Sequence, residues 1–222
     1  ANRWVMRGHD NEAIRKYAII GAGKRAVDCK KCGSSDRDRL VYFYFSELCK
    51  TTDLERKKLL HIAPERKLSQ ALELELGLDV VRIDAKKKGY YFDYSKDVMT
   101  ADLIELPFPD GCFDFVICNH VLEHIENQSK ALNEIHRVLK KSGVAMIQVP
   151  YSPLLQKSIE ADVNLNSKQR EELFGQWDHV RLYGTDFQTI VSTHGFEILE
   201  NVFQPNKTQC IYHNINPQEK LM

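Results

Sequence analysis

No apolar run in the 222-residue chain approaches the roughly 18 residues that a membrane-spanning helix requires. The opening "ANRWVMRGHD" lacks the apolar core of a secretory leader. Neither sign of charge dominates: 31 basic residues stand against 31 acidic ones, which argues against a dominant electrostatic grip on nucleic acid. Internal repeats and low-complexity tracts are also missing. The six cysteines are scattered, unlike the spacing of a disulfide framework. These absences point to a globular cytoplasmic protein: one medium domain with an appendage and no membrane span.

A more telling lack is local. The stretch "KLLHIAPERKLSQAL" (58–72) has the layout of a nucleotide-cofactor loop, an apolar strand and a tight turn leading into a helix, yet it contains no glycine. A dinucleotide needs glycines there so that backbone can approach a pyrophosphate at the helix N-terminus. Here Pro64 withholds an N–H, and the Glu65 carboxylate would repel phosphate. S-adenosylmethionine carries no phosphate. Its ammonium would suit Glu65, and the small Ala63 still permits close approach.

Strands and helices alternate from Lys58 onward. "KLLHIA", "LDVVRID", "DVMTADL", "CFDFVICN" and "VAMIQVP" read as strands. "ERKLSQALELELG" reads as a helix, with Leu68, Leu72 and Leu76 four apart and Gly77 as its stop. A second helix, "SKALNEIHRVLKKSG", aligns Leu132, Ile135 and Leu139, with Gly143 past its end. Such alternation predicts βαβ units and a mostly parallel sheet with helices on both faces. Further on, "TDFQTIVSTHG" reads as a helix, and "FEILENVF" with "TQCIYHNI" as an antiparallel strand pair.

Carboxylates at strand ends extend the cofactor reading. Asp84 closes the second strand, 19 residues after Glu65, where an acid accepts from ribose hydroxyls; Asp93 is the alternative. Asp102 follows the third strand, placed to accept from an adenine amino group while Leu103 covers the ring. Asp110-Gly111 reads as a turn.

The run "LPFPDGCFDFVICNHVLEHI" within "ADLIELPFPDGCFDFVICNHVLEHIENQSKALNEIHRVLKKSGVAMIQVP" resembles the central half of class I S-adenosylmethionine-dependent methyltransferases. More narrowly it is similar to their ubiquinone and menaquinone methyltransferase branch. The resemblance implies a Rossmann-like α/β fold and S-adenosylmethionine as cofactor. It implies that Asn119 and His120 line the methyl-transfer centre; His124 reads as a structural hydrogen-bonder that fixes the loop. The chain departs from the family at the opening turn: His61 stands where the family has an acid, and Ala63 and Pro64 replace glycines.

"WDHVRLYG" sets His179, Arg181 and Tyr183 at alternate positions, on one side of an extended segment. Transfer to an alcohol needs its proton removed, which suits His179, and Arg181 suits a bidentate grip on a substrate carboxylate or phosphate. A brace for the last helix is the competing reading. Cys29-Lys-Lys-Cys32 has the spacing of a zinc knuckle, but a structural site needs four ligands. Only Cys49, His9 and Cys112 offer themselves, so reduced thiols are expected instead of zinc. "SDRDR" reads as a solvated turn or phosphate-facing patch.

The expectation is thus an N-terminal segment over residues 1–53, a lid or vestigial zinc-ribbon-like element, and a methyltransferase domain over 54–222. The acceptor expected is a small or sugar-like molecule, methylated on oxygen. Action on nucleic acid or protein, and a binding module that has lost catalysis, remain the alternatives.

Overall fold

A computed structural model describes residues 4–85, 97–161, 165–199, 205–216 and 218. Asp93 and the rest of "GYYFDYS" lie outside the described residues.

Strands β1 (Trp4–Arg7) and β2 (Arg25–Cys29) pair antiparallel, with helix α1 (Glu12–Lys16) between them in the chain. Helix α2 (Asp36–Leu48) follows. The central sheet comprises β3 (Lys58–Ile62), β4 (Asp79–Asp84), β5 (Val98–Thr100), β6 (Phe113–Asn119) and β7 (Leu139–Gln148). Its spatial order is β5-β4-β3-β6-β7, every pairing parallel. Helix α3 (Arg66–Leu76) crosses from β3 to β4, and α4 (Gln128–Val138) from β6 to β7. Beyond the sheet lie β8 (Ile159–Glu160), α5 (Ser167–Phe174), β9 (Arg181–Leu182), α6 (Phe187–Ser192) and α7 (Lys207–His213).

Side-chain alternation along the strands divides the core into two layers. Leu59, Phe115 and Ile117 face Val41, Tyr44 and Phe45 of α2 and Leu68 and Leu72 of α3. Leu60, Ile62, Val116 and Cys118 face Leu132 and Ile135 of α4, with Tyr183 and Phe187. Both faces are therefore covered, as a parallel sheet requires. Helix α3 ends where predicted: Gly77 adopts the left-handed cap at φ 73°. The five strands, α3, α4 and α6 all occur in the segments the period of the sequence marked, apart from the junction of α4 with β7.

Three local expectations are corrected. The helix read as far as Gly143 stops at Val138, because the backbone extends at Leu139 to pair with Phe113. Two residues of β6 then span five of β7, and Gly143 sits inside this irregular strand. A Cβ there would lie 2.7 Å from Leu139 Cγ. Residues 208–215 were expected as a strand, but most of them form α7. A reciprocal cap starts that helix: Asn206 Oδ1 accepts from the Gln209 N–H, and Gln209 Oε1 accepts from that of Asn206. The antiparallel pair of the second half is instead β8 with β9. Of "FEILENVF", residues 196–199 are irregular, and the rest lies outside the described residues.

"SDRDR" is likewise no solvated turn. Ser35 and Asp38 cap α2 reciprocally, and Asp36 and Asp38 are both buried. Arg25 donates to Asp36 at 2.9 Å. Arg39 donates to the carbonyls of Val27 and His213 at 2.9 and 2.6 Å, with its guanidinium 4.5 Å from the Trp4 ring centre. Charged residues so placed tie β1, β2 and α7 to the start of α2. Among the described residues, no helix is long and apolar enough to cross a membrane.

Candidate functional site

Chain order in the sheet reverses between β3 and β6, and their C-terminal ends open the crevice where such folds bind ligands. The turn after β3 carries Ala63 at φ 47°, in the left-handed region that glycine normally supplies. Its N–H donates to the Ile83 carbonyl at 2.8 Å. The glycine-free sequence thus still makes the glycine-type turn, with a side chain too small and unbranched to block it. His61, fully buried, sets Nε2 2.8 Å from Glu65 Oε2. Burial opposes ionisation of Glu65, yet this hydrogen bond and the charge of His61 hold its carboxyl below the usual range. The acid missing from the strand end is therefore restored from the turn. Across the crevice Asn119 donates to Glu65 Oε1 at 3.4 Å. Asn119 is 4% exposed, and its Oδ1 finds no hydrogen-bond partner among the described residues. His120 follows at φ 52°, a second left-handed residue at this edge.

Asp84 ends β4 half-buried, its carbonyl accepting from the Ala101 N–H at 3.0 Å. Asp102 is exposed, with Oδ1 accepting from the Ile104 N–H at 3.1 Å. Leu103 departs from expectation. It belongs to the buried core with Ile83 and Leu106, so it has no face left for an adenine ring. Orphaned Asn119 Oδ1, the Ala63 turn and the ionised Glu65 together fit a ligand with an ammonium group and no phosphate, as S-adenosylmethionine is.

The late motif reads differently in three dimensions. Residues 179–184 are buried throughout, because both sides of this segment are covered; period-two spacing then says nothing about exposure. Arg181 donates to the carbonyls of Leu122, Ile125 and Glu126, the first and last at 2.6 and 2.9 Å, and to Glu160 at 3.1 Å. Its guanidinium clamps the loop after β6 and is not presented to an acceptor's carboxylate. Tyr183 is fully buried and donates to Gln128 Oε1 at 2.7 Å, another structural role. His179 is 5% exposed, and burial pushes its pKa down to about 4. It is neutral at pH 7 but a weak proton acceptor.

A cluster that the sequence reading did not assemble lies beside the Arg181 clamp. Ligand atoms of Glu123, His124 and His179 all stand within 4.8 Å of one another. Burial works against the Glu123 carboxylate, but the His120 ring hydrogen-bonded to it, with charge from the nearby histidines, holds its pKa at about 2. His124 Nδ1 lies 3.3 Å from Asp178 Oδ2, and the His124 and His179 rings meet edge to face at 4.8 Å. The adjacent pairs Glu123-His124 and Asp178-His179 were the available signal. Cys29 and Cys32 flank a turn in which the Gly33 N–H donates to the Cys29 carbonyl at 2.7 Å. Among the described residues neither cysteine joins a cluster of three metal-ligating side chains.

Residues 65–147 match a family model described as a methyltransferase domain. A probable S-adenosylmethionine-dependent methyltransferase of Mycobacterium tuberculosis is 43% identical over 54 residues, 24% of this chain and 20% of that one. Demethylmenaquinone methyltransferase of Symbiobacterium thermophilum is 33% identical over 98 residues, 43% of this chain and 37% of that one. The solved structure of Haemonchus contortus phosphoethanolamine N-methyltransferase 2 superposes with a TM-score of 0.53 at 18% identity, over 74% of this chain and 37% of that one. The chain spans less than half the length of the curated relatives it matches.

Proposed function

Because the chain belongs to the class I S-adenosylmethionine-dependent methyltransferases, we propose that it transfers a methyl group from S-adenosylmethionine to an oxygen of a small or sugar-like acceptor. The observation that carries this reading is the turn after β3. Ala63 makes the glycine-type turn without a glycine, and two residues on, the Glu65 carboxylate meets Asn119 across the crevice, where it would repel a phosphate and suits an ammonium. Glu65 would receive the methionine ammonium, and Asp84 the ribose hydroxyls. Asp102 would sit at the adenine edge, while Asn119 and His120 line the centre. The sulfonium supplies an activated methyl group for in-line displacement. What the chain adds is alignment of the acceptor and exclusion of water. His120 and His179 would be the candidates to take an acceptor proton.

Calorimetric titration with S-adenosylhomocysteine, with NAD as control, tests the reading. One-to-one micromolar binding of the first alone is expected, weakened at least tenfold in Glu65→Gln. Binding of neither compound would leave a domain that has lost its cofactor. If binding holds, transfer of labelled methyl to a panel of hydroxylated, amine and polymeric acceptors separates oxygen transfer from the alternatives.

A further inference from the structure

The loop after β6 and the segment before β9 each contribute an acid-histidine pair, and the fold brings the two pairs together. Glu123 is 1% exposed and His179 5%. Glu123 Oε2 and His179 Nδ1 have no hydrogen-bond partner among the described residues. Buried polar atoms are rarely left so, and two lone pairs from one cluster ask for a shared partner. We propose that Glu123, His124 and His179 form a binding site for one divalent transition-metal ion beside the C-terminal end of β6.

The surroundings are those of a metal centre. Asp178, 3.3 Å from His124 Nδ1, leaves Nε2 of that ring as the ligand, the carboxylate–histidine arrangement that orients metal-bound imidazoles. His120 Nδ1 stands 3.3 Å from Glu123 Oε1 and orients the carboxylate in the same way. Arg181 fixes both halves: it sits two residues after His179 and grips the carbonyls of Leu122, Ile125 and Glu126 around the other pair. His124 is 30% exposed at its side chain, which gives an ion its way in. Two imidazoles and one carboxylate favour zinc, cobalt, manganese or iron over calcium or magnesium. Ligands at about 2.1 Å from a tetrahedral ion stand roughly 3.4 Å apart, so the set closes by up to about 1.4 Å on binding. Three protein ligands leave a position for a further oxygen. On the methyl-transfer reading that position takes the acceptor, whose hydroxyl a Lewis acid would make more acidic; the site itself does not rest on that reading.

The test is titration of the chelator-treated full chain with cobalt(II), in a Cys29→Ser, Cys32→Ser background that removes the competing thiolates. One equivalent is expected to bind with the visible absorption of nitrogen and oxygen ligands. Glu123→Gln and His179→Gln should each weaken it at least tenfold while far-ultraviolet circular dichroism stays unchanged. S-adenosylhomocysteine affinity is measured alongside, so loss of the cofactor reading is seen separately. No binding in the doubly substituted background, or affinity in both variants equal to that of the background, overturns the site. Should the variants fail to fold, manganese(II) is added to the unsubstituted protein and the imidazole resonances followed by NMR. Selective broadening of His124 and His179 supports the site, whereas uniform or absent broadening sinks it.

Discussion

Ala63 and Arg181 show how much depends on what surrounds a single side chain. An alanine held left-handed at φ 47° costs about 1–2 kcal/mol, against roughly 0.5–1 kcal/mol lost when glycine adds freedom to the unfolded chain. Ala63→Gly should therefore stabilise the protein by roughly 0.5–1 kcal/mol, visible as a small rise in the urea midpoint; a fall would mean that the turn is not strained. Arg181→Lys keeps the charge but loses the fork that serves several carbonyls. With the Leu122 carbonyl buried and the other two part-buried, a loss of about 2–4 kcal/mol is expected, again read by urea unfolding. Had Arg181 held an acceptor, the substitution would raise KM and leave the midpoint alone. The residue type announced a strong hydrogen bonder, but only the fold says to whom it donates.

At the scale of elements, α4 supplies the clearest pH dependence. Arg137 donates to Glu134 and to the carbonyls of Leu106 and Phe108, and the Leu106 N–H donates to Glu134 Oε2. Hydrogen bonds from Arg137 hold the Glu134 carboxyl below its ordinary range. A depressed folded pKa adds stability above the unfolded value of about 4.3, and that stability is lost as pH falls through the lower, folded value. Glu134→Gln should thus weaken the protein by about 1–2 kcal/mol at pH 7 and flatten its acid limb as pH falls below the unfolded carboxylate range. Parallel acid limbs for the two proteins would refute this. Helices and strands of the sheet were legible because each buries one face at its own period. The helix α7 was not: its segment is short, and the cap of Asn206 on Gln209 outweighed its strand-like composition.

On the scale of the whole molecule, α2 belongs to the layer over the sheet. Phe45 is 1% exposed and meets the Phe115 ring edge to face with centroids 5.2 Å apart. Phe45→Ala should cost about 3–5 kcal/mol. Deleting residues 1–53 should abolish cooperative unfolding by uncovering Leu59, Phe115 and Ile117. A deletion that melts cooperatively, with dispersed NMR signals, would instead make the first 53 residues a separable lid.

Sequence alone determined the parallel α/β sheet, the turn that opens the crevice and the kind of cofactor it suits. These are local matters: side-chain period, turn chemistry and the presence or absence of phosphate-binding glycines act within about a dozen residues. Only the tertiary structure decided that Leu103 goes to the core, that Arg181 clamps carbonyls, and that Glu123 and His124 meet His179 across 55 residues of chain. Those outcomes depend on which surfaces the packed helices cover, and no period along the chain encodes that.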